Sequence, residues 1–189
     1  MTLQRATLSF LALLALLLCG CSPQEAPAKR EATVEVVAAQ AKGFAVGSMM
    51  SRNTAYVFFD AQCPHCGHLW EAALPLHKKL KFVWIPVAII NPSSAAQGAA
   101  LLAAANPQAL MSEHEASLLA GRGGISGSSS VASEIEQAIK GNTQLFNSFS
   151  AESVPFIVAR NARTGQGVTH LGSMGSAALA DFLGVDAAP

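Results

Sequence analysis

The sequence predicts an α/β sandwich carrying a helical insertion, and three observations predict it. A β-rich apolar run, Tyr56-Val57-Phe58-Phe59, leads straight into apolar residues at three- to four-residue spacing: Leu69, Trp70, Ala73, Leu76 and Leu80. A second apolar run, Phe82 to Ile90, is followed by helical stretches in succession rather than by another strand. Two short strands around a Gly-containing turn and a closing helix complete the chain. Continuously apolar strands are buried on both faces of a sheet, and one-sided helices cover those faces.

The N-terminus reads as an export signal. Arg5 gives a positive start, and Leu8 to Leu18 is an apolar run of about eleven residues, short of the roughly 20 that span a bilayer. Leu18-Cys19-Gly20-Cys21 follows. A small residue before a cysteine, with Leu three positions ahead of it, resembles the lipobox of bacterial lipoproteins. That resemblance implies a lipoprotein signal over residues 1–20, cleavage before Cys21 and a lipid on Cys21. Ser22 after the cysteine favours the outer membrane. An ordinary signal peptide with two incidental cysteines is the competing reading. Residues 21–31 then form the lipidated cysteine and a tether, and residues 32–186 form one domain with a helical insertion at about 93–150.

The alternation Thr33-Val34-Glu35-Val36 predicts a short edge strand over Ala32 to Ala39, and Ala41 to Asn53 a turn and a second short element. Pro75 interrupts the helical pattern between Cys66 and Leu80 and predicts a kink. Pro86 within the second strand predicts a bend or an amide facing an edge. Ser94 to Ala105, Pro107 to Leu119 and Val131 to Phe149 read as helices, with the Gly/Ser-rich Gly121 to Ser130 as a loop. Val154 to Arg160 and Val168 to Leu171 are strands on either side of a turn, and Ser176 to Leu183 is the last helix.

Composition limits the partners. The 189 residues are 51% hydrophobic and only 13% charged, with no formal net charge, so no basic stripe exists for nucleic acid. With Cys19 removed and Cys21 lipidated, Cys63 and Cys66 are left as one close pair in an oxidising compartment, the periplasm. One pair of that kind is reactive rather than a framework.

Cys63-Pro64-His65-Cys66 falls where the apolar strand meets the helix. The first turn of a helix offers unpaired N–H groups and the positive end of the dipole, which favour a thiolate at Cys63. Cys66, one turn in, is placed to resolve. Pro64 suits an early helical position, and His65 can place positive charge near the Cys63 sulfur. A CxxC pair is shared with zinc sites. The further signal is Ser153-Val154-Pro155-Phe156, a proline at the mouth of an apolar strand.

Phe58-Phe59-Asp60-Ala61-Gln62-Cys63-Pro64-His65-Cys66, with Trp70 on the helix, resembles the bacterial thiol:disulfide interchange proteins, and most of all the catalytic domain of DsbC and DsbG. Val87-Ala88-Ile89-Ile90-Asn91-Pro92-Ser93-Ser94 is similar to the segment of DsbG that leads into its inserted helices. The resemblance covers about Thr54 to Leu183. It implies a thioredoxin fold, with a central mixed β-sheet flanked by helices, and a cis Pro155 facing the dithiol with Val154 offered to an extended substrate segment. It implies Cys63, Cys66, His65 and Pro64 as the catalytic motif, no cofactor beyond the redox-active disulfide and no metal. The implied partners are exported proteins and a membrane redox protein. About thirty residues between Cys21 and the first core strand are too few for a dimerisation module, and Pro64-His65 and Val154 match the DsbA pattern. Both point to a monomeric oxidase, with a Cys63 pKa of about 3.5 on the DsbA pattern.

A reductase or isomerase, including one acting on sulfenic acids, is the alternative within that chemistry. A copper(I)-handling protein is the alternative outside it, drawing on Cys63, His65, Cys66 and His68. Asp60 is a candidate for capping the loop or helix, or for proton transfer to Cys66. Glu71 is a solvated helix residue or a buried base. His77, His114 and His170 read as structural, Trp70 and Trp84 as core, and Met49 and Met50 as a possible substrate edge.

Overall fold

The computed structural model describes residues 29–127, 131–149 and 151–187. The signal, Cys19, Cys21 and most of the tether lie outside the described residues. Its elements are α1 (Val34–Gln40), β1 (Phe44–Gly47), β2 (Thr54–Asp60), α2 (Pro64–Ala73), β3 (Lys81–Val87), α3 (Pro92–Ala103), α4 (Pro107–Leu119), α5 (Ser133–Ser148), β4 (Phe156–Arg160), β5 (Gly167–Leu171) and α6 (Ser176–Leu183). The strands form one sheet in the order β1-β3-β2-β4-β5. β2 and β3 run parallel, and the other pairs are antiparallel.

The sheet is mixed because β2 and β3 are joined through a helix, whereas β4 and β5 are joined by a tight turn. Successive side chains of β2 face opposite sides, which divides the core at Phe58 and Phe59. Phe58 packs on Phe146, Phe149 and Phe156, so the end of α5 covers that face. Phe59 meets Trp84 and Phe44, and Trp84 meets Trp70 of α2 on the other face. The helical spacing read from the sequence is the buried stripe: Leu69, Trp70, Ala73, Leu76 and Leu80 are all at most 1% exposed.

The segment expected as an edge strand is the helix α1. The Thr33 hydroxyl accepts a hydrogen bond from the Val36 N–H at 3.3 Å, Glu35 sits in the first turn, and Val37 alone is fully buried. An N-cap followed by an acidic first turn and good helix formers outweighs two alternating valines. Arg30, in the stretch read as tether, already pairs with Phe149, its N–H donating to the Ser148 carbonyl at 2.8 Å.

Both prolines act, though not identically to expectation. Pro75 ends α2 at Ala73 and the chain continues as a 3-10 turn, Leu74–Leu76, instead of a kinked helix. Pro86 is tolerated because β1 reaches only as far as Trp84, opposite Phe44, so β3 has one paired neighbour there. The strand stops at Val87, and the Ile89 and Ile90 N–H groups turn to the Asp60 carboxylate.

Asn142 of α5 locks this corner from within. Its Nδ2 donates to the Lys42 and Pro86 carbonyls at 2.7 and 3.0 Å, and its Oδ1 accepts from the Lys42 N–H at 2.8 Å. The side chain is buried, so its loss strands backbone groups without partners. Asn142→Ala is expected to cost about 2–3 kcal/mol in denaturant unfolding. A loss below about 0.5 kcal/mol would show that water replaces the amide freely.

Candidate active site

Strand β2 ends at Asp60, and a two-residue link delivers Cys63 to the N-cap of α2. The Cys63 N–H donates to the Asp60 carbonyl at 3.0 Å, and the Cys63 carbonyl accepts the Cys66 N–H at 2.9 Å, the first turn of the helix. Pro64 occupies the first helical position, where no N–H is needed. The Asp60 carboxylate is fully buried and committed to three amides: Oδ1 accepts from Gln62 at 2.9 Å, and Oδ2 accepts from Ile89 and Ile90 at 2.8 and 3.1 Å. Of the roles weighed for it, loop cap is the one its contacts fill.

The Val154–Pro155 peptide bond is cis, and the Val154 carbonyl accepts from the Cys63 Sγ at 3.5 Å. The Cys63 sulfur therefore lies against the backbone of Val154. Both cysteines are free thiols, but they are not equivalent. Cys66 is fully buried, and burial pushes its thiol up well above the ordinary value, with the Cys63 sulfur adding to the rise. Cys63 is lowered to about 7. The Cys66 thiol donating to it is the largest cause, and the backbone N–H groups of Cys66 and His65 add to it against burial and the Asp60 charge.

His65 contributes through its backbone, not its ring. The imidazole is exposed and packs against His68, with ring centroids 6.4 Å apart. Cys63, lowered to about 7, thus stands apart from the value of about 3.5 expected on the DsbA pattern. His68 and Glu71 are also exposed, 3.9 Å apart, so Glu71 is a solvated residue and no buried base. Among the described residues no cluster of three or more His, Cys, Asp or Glu is arranged to hold a metal. His77 is wedged between Trp70 and Phe82, and His170 lies against Phe182.

Four residues beside the dithiol have partners that are not legible in the sequence. Gln62 donates to Gln97 and to the Gly123 carbonyl and accepts from Asn91, while Gln97 donates to Gly123 and Ile125. His114 is buried, receives the Ile125 N–H on Nδ1 and so donates from Nε2 to the Ala61 carbonyl at 2.6 Å. The inserted helices thus hold the link that carries Cys63. Glu115, next on α4, is buried under α2. Nothing in its local sequence distinguishes it from a surface glutamate.

For the thiol pair the sign of the pH effect is fixed by the lowered pKa of Cys63. The folded thiolate is favoured, so this stabilisation of the reduced protein is full above the thiol's ordinary value of 9.0 and is lost as pH falls through about 7. Alkylation of the reduced protein by iodoacetamide, followed by mass spectrometry, is expected to modify Cys63 with a midpoint near pH 7 and to leave Cys66 unmodified. Equal labelling of both cysteines would contradict the burial asymmetry.

No family model matches the chain. Over 125 residues it is 31% identical to the thiol:disulfide interchange protein DsbG of Pseudomonas aeruginosa, covering 65% of this chain and 48% of that protein. Over 104 residues it is 31% identical to DsbG of Escherichia coli, covering 54% of this chain and 41% of that one. The chain therefore matches less than half the length of either relative. Among solved structures, a periplasmic thioredoxin-like protein from Salmonella enterica serovar Typhimurium superposes with a TM-score of 0.64 at 16% identity, over 82% of this chain and 97% of that one. The chain has a thioredoxin fold with a helical insertion and is similar, over 125 residues, to the DsbG thiol:disulfide interchange proteins.

Proposed function

We propose that this protein is a thiol:disulfide oxidoreductase that exchanges disulfides with exported proteins in the periplasm. The observation that carries this is the asymmetry of one thiol pair. Cys63, lowered to about 7, lies at a helix start against the Val154 carbonyl, while Cys66 is sealed behind it. As an oxidase, the Cys63–Cys66 disulfide is attacked at Cys63 by a substrate thiolate. The bond to Cys66 breaks and its electron pair stays on the Cys66 sulfur, leaving a mixed disulfide through Cys63. A second substrate thiolate displaces Cys63, forming the substrate disulfide and the reduced enzyme. A membrane redox partner then reoxidises the pair. Val154, next to the cis bond, presents its backbone to an extended substrate segment, and Pro64 and His65 shape the rim.

A second reading, a reductase or isomerase, is favoured by one observation. With the His65 ring turned to solvent, a Cys63 value near 7 is that of a moderately reducing centre, close to thioredoxin's own value and far from the roughly 3.5 of a strong oxidant. In that direction the Cys63 thiolate attacks a substrate disulfide and Cys66 releases the product.

The mature chain is read as tethered through a lipid on Cys21, supported by the Leu18-Cys19-Gly20-Cys21 sequence and tested by release of a Cys21→Ala protein from the membrane fraction. For the exchange chemistry, Cys66→Ser is expected to accumulate a mixed disulfide with an exported substrate, visible on non-reducing gels. Cys63→Ser is expected to trap nothing and to fall to the uncatalysed rate. Equal trapping by both variants would contradict the assignment of Cys63 as the attacked sulfur.

A further inference from the structure

The peptide group two residues before Cys63 is gripped at both ends. The Gln62 N–H donates to the Asp60 carboxylate at 2.9 Å, and the carbonyl of the same peptide, that of Ala61, accepts from His114 Nε2 at 2.6 Å. Asp60 belongs to the strand that ends there. His114 belongs to α4 of the insertion, and the exchange steps above give it no part.

The ring can hold this place in one form only. His114 is fully buried, and its Nδ1 accepts the Ile125 N–H at 3.2 Å, which leaves the ring proton on Nε2 for the Ala61 carbonyl. A second proton, on Nδ1, would set two N–H groups against each other. Burial holds the ring below its ordinary value of 6.5, against the Ala61 carbonyl and the Asp60 charge, so it is neutral at pH 7. Taking an imidazole out of water is unfavourable unless its nitrogens are bonded, and both are.

The turn beyond α4 is shaped around the ring. Gly124 adopts φ +84°, and a Cβ there would strike His114; Gly123 adopts φ +83°. The Ser117 hydroxyl donates to the Gly124 carbonyl at 3.2 Å. The Gly123 carbonyl in turn accepts from the Gln62 and Gln97 side chains. His114 thus ties the backbone of the link to the backbone of the turn, and the turn returns to the link through Gln62.

Resting on the disulfide-exchange reading, we propose that His114 is a positioning residue for the reactive thiol: it fixes the plane of the Ala61–Gln62 peptide, and so the place of the Cys63 sulfur at the start of α2. The Cys63 anion is favoured by the Cys66 thiol and by the backbone N–H groups of Cys66 and His65. A link free to rotate at Ala61 carries the sulfur away from those donors and returns the thiol towards its ordinary value.

The test is alkylation of Cys63 by iodoacetamide in the reduced protein from pH 6 to 10, in wild type, His114→Leu and His114→Gln. Leucine removes both hydrogen bonds. Glutamine keeps an acceptor and a donor on either side of one carbon, as the two ring nitrogens are, and does not titrate. At pH 6 His114→Leu is expected to react about tenfold more slowly than wild type, as less of its Cys63 is ionised. The ratio is expected to fall towards one as pH rises past the ordinary thiol value of 9.0, where Cys63 is ionised in both. His114→Gln is expected to stay within about twofold of wild type throughout. A ratio of one at every pH, or the same slowing at every pH, would overturn the proposal, the second because it reports access to the sulfur and not its ionisation. A glutamine variant as slow as the leucine one would also overturn it. Ring nitrogen shifts in the NMR spectrum check the histidine without any variant: a neutral ring protonated on Nε2 is expected at pH 7, and a charged ring or the other tautomer would overturn the proposal. Failure of the reduced wild type to form the Cys63–Cys66 disulfide with oxidised glutathione would instead remove the exchange reading.

Discussion

The handover from β2 to α2 is the constraint on which the remaining structure depends. A strand buried on both faces must end, turn within two residues and start a helix whose first N–H groups point at one sulfur. That requirement fixes the Asp60 carboxylate as a loop cap, Pro64 as the first helical residue and Cys63 as the N-cap. It also seals Cys66, because the same helix must press Leu69 and Trp70 onto Trp84 and the sheet. The two thiols differ because one stands at the helix end and the other lies a turn inside the core.

The insertion between β3 and β4 holds this handover in place. The helices α3 and α4 reach back to the link through Gln97 and His114, and the glycine-containing turn beyond α4 supplies the Gly123 and Ile125 carbonyls that Gln97 bonds. Gly124 adopts φ +84°, open to glycine at little cost, and a side chain there would meet the His114 ring. The α5 helix completes the opposite face with Phe146 and ties β3 through Asn142. The insertion thus belongs to the architecture of the site and is not an appendage.

Much of this was legible in the sequence because it depends on local chemistry. Cys63, Cys66, Pro64 and Pro155 carry recognisable spacing, and strands β2 and β3 carry continuous apolar runs. The α1 segment misled because two alternating valines imitate a strand, while the deciding Thr33 cap is a single hydrogen bond. The direction of the His65 ring depends on which side of α2 the fold leaves open to solvent, and that is not a local property. Gln62, Gln97, His114 and Glu115 were hidden for the same reason. Their partners lie on other elements, and only the tertiary fold brings an ordinary glutamate beneath an active-site glycine.

The most direct test of the asymmetric thiol pair is its reduction potential as a function of pH, by glutathione equilibration with quantitation of the Cys63–Cys66 disulfide. A dithiol that takes up two protons changes by about 59 mV per pH unit, and one that takes up a single proton by about 30 mV. The structure predicts a break from the steeper to the shallower slope near pH 7, where Cys63 stays a thiolate, and no second break until well above 9. A single steep line from pH 6 to 9 would contradict it, since Cys63 would then not be favoured as an anion by the Cys66 thiol and the first N–H groups of the helix.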